Sequence, residues 1–294
     1  MIDWPVGLST GCFYRKSLFE VVEDIALSGF SLLEICSYRG HLDYHDLTMV
    51  KAAAEEIKVH GLKPFSFHAP FAGGLDISDL DADRRMDCLR EMLIAVEAAG
   101  LLGVECFVIH PGPEKEGRPA PEEHLQRLKN GSGTLTRIAE RCAEKGVRLV
   151  FENMLPHLFL GRAADLKWFL EALSRWNPGF CLDTGHAHLA GDLDRLAALC
   201  PGQLHMIHAA DNRGVRDDHL PPGQGGIDWQ RLISQLGELK FQGVFILELS
   251  GSEGGSPREV LAEARRARQF IQGLGRSPTL TLNAVDLGTP RHNE

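Results

Sequence analysis

Short apolar runs recur along the chain, and most of them close on an ionisable residue. Phe65-Ser66-Phe67-His68, Cys106-Phe107-Val108-Ile109-His110, Leu149-Val150-Phe151-Glu152, Phe180-Cys181-Leu182-Asp183, Met206-Ile207-His208 and Phe245-Ile246-Leu247-Glu248 each end in His, Asp or Glu. Two further runs, at 6–9 and 32–35, share the apolar character. Unbroken runs rich in Val, Ile, Leu and Phe predict strands buried on both faces, as parallel sheets require. Stretches with helical period lie between them: around Leu18, Val21, Val22 and Ile25, then near 50–57, 81–101, 122–144, 163–173, 193–199, 229–239 and 257–271. Gly29, Gly61, Gly103, Gly146, Gly179 and Gly243 fall just before strands, where helices end.

Eight strand–helix units in alternation predict an α/β fold, a (β/α)8 TIM barrel in a single domain. The barrel is expected over 1–274, and 275–294 loses periodicity and reads as a C-terminal tail. An open doubly wound sheet is the rival, but no Gly-rich dinucleotide turn follows the first strand.

Composition narrows the function classes. The chain has 294 residues, 44% hydrophobic and 24% charged, with a net charge of −9. That balance argues against a protein that neutralises many phosphates. The seven cysteines form no CxxC pair and read as reduced, buried thiols. No signal-like segment opens the chain and no apolar run is long enough to span a bilayer, so a cytoplasmic location without membrane association is expected.

Parallel strands of a barrel bring their carboxyl ends to one face, where such enzymes place their chemistry. Glu152, Asp183, His208 and Glu248 then converge although they are far apart in sequence. Three carboxylates and an imidazole suit a divalent metal such as Mn²⁺, Mg²⁺, Co²⁺ or Zn²⁺. Taken singly, a strand-end carboxylate has a plainer use, capping the following helix. Four in register on successive strands favour a shared cation. His68, His110, His186, Asp217 and His219 form a second layer, the last two in a Pro/Gly-rich loop at 216–225 with no apolar reason to be ordered. His188 and His205 are read as structural, and alternation from His208 would turn His205 outward. Phe13, Phe71 and Trp229 are candidates for apolar pocket walls.

Together these motifs resemble the xylose-isomerase-like barrel superfamily, which includes sugar isomerases and epimerases, inosose dehydratase and the endonuclease IV type of abasic-site endonuclease. The likeness rests on Phe67-His68-Ala69-Pro70, Ile109-His110-Pro111-Gly112, Phe151-Glu152-Asn153, Leu182-Asp183-Thr184-Gly185-His186, His208-Ala209-Ala210-Asp211 and the segment from His219 to Gly225. In the sugar branch the resemblance implies one metal on Glu152, Asp183, His208 and Glu248. It implies substrate contact by His186, with His68, His110 and His219 lining the pocket. Glu152 and Glu248 would act as the catalytic carboxylates on opposite sides of the sugar carbon. One of them would remove the α-proton to give a cis-enediolate, whose reprotonation isomerises or epimerises the sugar. Loss of a β-hydroxyl would instead dehydrate it. The endonuclease branch implies a multinuclear zinc site using all nine of His68, His110, Glu152, Asp183, His186, His208, Asp217, His219 and Glu248.

Loop charge separates the branches. The loop after the second strand, 36–46, carries one arginine and two aspartates, and the loop at 71–79 is acidic as well. Such loops repel a phosphate backbone, so nucleic acid is not the expected partner. The expectation is therefore a divalent-metal-dependent isomerase or epimerase acting on a small-molecule sugar or polyol, with a zinc-dependent phosphodiesterase as the alternative. The resemblance also leaves room for a homo-oligomer.

Overall fold

A computed structural model describes residues 4–114, 117–250 and 256–276. Its strands are β1 (Val6–Ser9), β2 (Leu32–Cys36), β3 (Lys63–His68), β4 (Cys106–Ile109), β5 (Arg148–Glu152), β6 (Gly179–Asp183), β7 (Leu204–Ala209) and β8 (Val244–Leu247). Each pairs in parallel with the next, and β8 returns to β1 through Val6↔Phe245, Gly7↔Ile246 and Leu8↔Leu247. The result is a closed (β/α)8 barrel. At that seam β1 needs a glycine, because a Cβ on Gly7 would lie 2.8 Å from Ile246 Cδ1 and 2.9 Å from Leu32 Cβ.

The helices are α1 (Leu18–Leu27), α2 (Leu47–Val59), α3 (Ala82–Leu102), α4 (Pro121–Glu144), α5 (Ala163–Ala172), α6 (Thr184–Leu189), α7 (Leu193–Ala197), α8 (Trp229–Glu238) and α9 (Pro257–Arg276). All but α6 coincide with periodic stretches of the sequence. Acidic caps start several of them: Asp46 accepts the Thr48 and Met49 amides, and Asp81 accepts those of Asp83 and Arg84. Gly146, expected as a helix stop, follows the last turn of α4 with φ +70°. The tail expected from 275 lies, beyond Arg276, outside the described residues.

Period-two alternation divides the strands between two apolar layers. Phe67, Phe107, Phe151 and Phe180 face outward into the large core shared with the helices. Cys106, Val108, Val150, Cys181, Met206 and Ile246 fill the barrel bore. The same parity carries Glu152, Asp183 and His208 over the bore at its carboxyl end, two residues beyond Val150, Cys181 and Met206.

Two irregularities modify this pattern. Leu33 pairs with Pro64 but Glu34 with Ser66, and Phe180 pairs with Leu204 but Cys181 with Met206. Phe65 and His205 are therefore extra residues in bulges on β3 and β7. Their rings stack at 6.1 Å and 17°, with Phe65 in the bore cluster. Strict alternation would have turned His205 outward; the bulge turns it onto Phe65 instead, at the opposite end from the polar rim. Five of the seven cysteines are buried and all seven are free. Among the described residues no helix is long and apolar enough to cross a membrane.

Candidate active site

At the carboxyl end of the bore, Glu152, Asp183, His208 and Glu248 each direct one donor atom into a space where these atoms lie within 4.8 Å of one another. The first three are buried, and Glu248, just past β8, is partly open to solvent. His208 Nδ1 stands 3.2 Å from Glu152 Oε2 and 3.4 Å from Glu248 Oε2 but makes no hydrogen bond. Asp183 Oδ2 is likewise buried without a partner. Buried polar atoms are normally satisfied. Two unsatisfied ones facing a set of hard and borderline donors fit a divalent cation.

The remaining candidates surround this group. His68 Nε2 and His110 Nε2 each lie 3.2 Å from Glu152 Oε2. His186 Nε2 and His219 Nε2 lie 3.3 and 2.9 Å from Asp217 Oδ2. Two further sets have metal-compatible spacing, His68–Glu152–His208 and His186–Asp217–His219. His110 touches Glu152 but belongs to none of these sets.

All five imidazoles share one arrangement. The nitrogen away from the centre meets an acceptor: His68 Nδ1 at Ala69 O (2.9 Å), His110 Nδ1 at Glu114 Oε1 (2.6 Å) and His186 Nδ1 at Asn153 O (2.8 Å). His208 Nε2 meets Glu34 Oε2 (3.0 Å) and His219 Nδ1 meets Glu248 O (3.1 Å). Carbonyls and carboxylates only accept, so each of these nitrogens carries a proton and the other faces the centre.

Asn153 and Asp211 build the frame. The Asn153 amide takes the Asp183 N–H (2.8 Å) and donates to Asp183 O (3.0 Å), tying β5 to β6 beneath the two carboxylates. Asp211 accepts from the amides of Asn212, Gly223 and Ile227 and from Trp229 Nε1 (2.9 Å). Its backbone also bridges to Leu220. The Pro/Gly-rich loop is therefore ordered by a buried carboxylate, alongside the buried Pro221 and Pro222. Gly225 makes the approach: a Cβ there would sit 2.2 Å from Asp211 Oδ1. His219 reaches the centre with φ +45°, a left-handed conformation.

Of the three aromatic walls expected, only Phe71 borders the site. Its ring packs 5.2 Å from His68 and 5.0 Å from His110 and stays 42% exposed. Phe13 and Trp229 are buried in the core, where Trp229 serves Asp211.

Burial and mutual charge displace the protonation equilibria of the metal-free site. Burial opposes ionisation of Glu152, but the charges of His208 and His110 hold its carboxyl well below the usual range. Burial, with Glu34 and Glu152 adding, pushes Glu248 up to about 7 against the pull of His208. Burial also raises Asp183. Glu34 is drawn down to about 2, its burial outweighed by the charge and hydrogen bond of His208. Burial disfavours the imidazolium forms, yet Glu152 and Glu114 lift His110 to about 10, and Asp217 lifts His219 to about 10. Asp183 and Asp217 lift His186 to about 9. Protons thus hold this crowd of acids together, a role a cation can take over.

Sequence reading passed over Glu34 and Glu114. Glu34 interrupts the apolar run of β2 at a position where a charge must find a buried partner, and that signal was legible. Glu114 lies in a loop beyond His110 and carries none.

The chain belongs to the xylose isomerase-like TIM barrel family, whose profile matches residues 19–272. An uncharacterised protein of Methanocaldococcus jannaschii is 29% identical over 263 residues, 84% of each chain. A probable endonuclease 4 of Oleidesulfovibrio alaskensis is 32% identical over 169 residues, 50% of this chain and 52% of that relative. The inosose isomerase of Bacillus velezensis is 24% identical over 237 residues, 74% of this chain and 81% of the other. Among solved structures, a D-tagatose 3-epimerase-like protein superposes with a TM-score of 0.77 at 24% identity, covering 93% of this chain and 97% of that one. The IolI protein with a bound zinc atom gives 0.78 at 20% identity, covering 92% and 98%.

Proposed function

We propose that the protein is a divalent-metal-dependent isomerase or epimerase of a sugar or polyol, with related dehydration open to the same intermediate. The observation that carries this reading is the group Glu152–Asp183–His208–Glu248, with Asp183 Oδ2 and His208 Nδ1 left unpartnered. The likeness to an inosose isomerase and to an epimerase-like structure supports the substrate class, and the zinc in IolI supports the cation.

A bound divalent cation supplies Lewis acidity that polarises a carbonyl and its neighbouring hydroxyl. Glu152 and Glu248 provide two carboxylates in different settings, one sealed by imidazoles and one partly open. One of them takes the α-proton, and its return to the neighbouring carbon or the opposite face decides between isomerisation and epimerisation. His68, His110, His186 and His219 hydrogen-bond hydroxyls, and Phe71 covers an apolar sugar face. Incubation with a panel of ketoses and inososes in D₂O, followed by NMR, tests the reading. Deuterium entering at the carbon beside the carbonyl is expected for at least one substrate; no exchange with any of them, metal present, counts against it.

A zinc-dependent phosphodiesterase is the second reading. It is favoured by the additional set His186–Asp217–His219 and by the partial likeness to a probable endonuclease 4. Elemental analysis separates the two: one tightly held ion per chain supports the sugar enzyme, three the phosphodiesterase.

A further inference from the structure

Glu34 is fully buried in the bore, and no step proposed above uses it. Its Oε2 receives the Ser66 hydroxyl at 2.9 Å and faces His208 Nε2 at 3.0 Å. Ser66 is its sheet neighbour on β3, whereas His208 stands on β7, which does not pair with β2. The Glu34–His208 contact therefore crosses the inside of the barrel. We infer that Glu34 is a positioning residue for the cation site: it holds the His208 ring with Nε2–H on its carboxylate and the Nδ1 lone pair turned to Glu152, Asp183 and Glu248. This rests on the cation reading given above.

A neutral imidazole ring has one donor and one acceptor nitrogen, and the tautomer follows from whichever nitrogen finds an acceptor. In the neutral ring that a cation requires, Glu34 is the acceptor at Nε2 and Nδ1 is left with its lone pair. Around Nδ1 the near groups are the Glu152 and Glu248 carboxylates, which attract a cation and cannot donate when ionised. Without Glu34 the ring would gain by turning its N–H toward those carboxylates, and the coordinating lone pair would be lost. Glu34 itself joins none of the metal-compatible sets, so its effect passes through His208. The Ser66 hydroxyl fixes Oε2 from the other side and completes the clamp. Outer carboxylates of this kind orient metal-binding histidines and raise their basicity.

The test compares wild type, Glu34→Gln and Ser66→Ala for affinity toward Zn²⁺ alone and Mn²⁺ alone, by competition with a chromophoric chelator. It adds ¹⁵N spectra of the histidine rings in the zinc-loaded proteins. Glu34→Gln is expected to bind each ion about 10–100-fold more weakly and to shift the His208 ring signals. Ser66→Ala is expected to lose affinity in the same direction but less. A merely structural glutamate would alter melting without moving the ring signals. Glu34→Gln affinity equal to wild type, or lost affinity with unchanged His208 signals, overturns the inference. Should Glu34→Gln not fold, Ser66→Ala decides alone, and unchanged zinc affinity there overturns it. Wild type that binds neither ion would bring down the cation reading itself, a separate outcome from equal binding by wild type and variant.

Discussion

Asp183 caps the helix that carries His186, accepting the His186 amide on Oδ1 at 2.6 Å, while its other oxygen, Oδ2, is buried and unpartnered. One carboxylate thus starts α6 and offers a donor atom to the centre. The two uses separate by substitution. Asparagine caps a helix about as well as aspartate, so Asp183→Asn should keep the cap and lose the anionic donor. Metal-free Asp183→Asn is expected to melt close to wild type while its zinc affinity falls more than tenfold. Asp183→Ala loses the cap as well, at about 0.5–2 kcal/mol. Thermal melts and chelator competition on both variants check this; an Asp183→Asn protein with wild-type affinity would contradict it.

Glu248 lies beside His208 and is the partly open carboxylate of the pair with Glu152. Replacing it with glutamine keeps shape and removes the proposed proton acceptor. Glu248→Gln should slow α-proton exchange by about 10²–10⁴-fold, the usual range for loss of a general base. Exchange rates followed by NMR in D₂O provide the check, and an unchanged rate with metal content intact would remove Glu248 from the mechanism.

The loop bearing Asp217 and His219 depends on Asp211. Asp211→Ala would strand the amides of Gly223 and Ile227 and the Trp229 indole, each a buried or partly buried donor. An unsatisfied buried donor costs about 1–3 kcal/mol, so a loss of at least about 2 kcal/mol is expected in urea unfolding. Gly225→Ala should act through the same contact, since its methyl would meet Asp211 Oδ1 at 2.2 Å. Wild-type stability in both variants would show that the loop is held by something else.

Much of this was legible beforehand. A strand buried on both faces must place any terminal acid or imidazole at the bore or against the helices, and the shared positions of Glu152, Asp183 and His208 followed from that parity. Helix α6 was not legible, because Thr184-Gly185-His186-Ala187-His188-Leu189 has no apolar stripe and owes its start to the Asp183 cap. Asp211 stood in a recognised motif, yet three of the four donors to its carboxylate lie 12 to 18 residues downstream, a closure no local pattern encodes. The bulges at Phe65 and His205 escaped for a related reason: register is a property of paired strands.

The metal-free site should give stability an unusual pH dependence. His110 and His219, raised from 6.5 to about 10, and His186, raised to about 9, bind protons more tightly folded than unfolded. Their contribution is complete below about pH 6.5 and is lost as pH rises through 9 to 10. Glu248, an acid raised from 4.5 to about 7, likewise removes stability as pH climbs between those values. Glu34, lowered from 4.5 to about 2, acts at the other end, its contribution fading as pH falls from 4.5 toward 2. Metal-free protein is therefore expected to melt highest in mild acid and progressively lower from pH 6.5 to 10. Saturating zinc should displace these protons and move the maximum upward. A flat metal-free profile over that window would contradict the assignment.

Crystals of the protein grown with Mn²⁺, with the ion located by anomalous scattering, test whether Glu152, Asp183, His208 and Glu248 share a cation. A peak bounded by these four side chains is expected, and it should disappear in Asp183→Asn. Manganese absent from that position, or bound only elsewhere on the molecule, would contradict it.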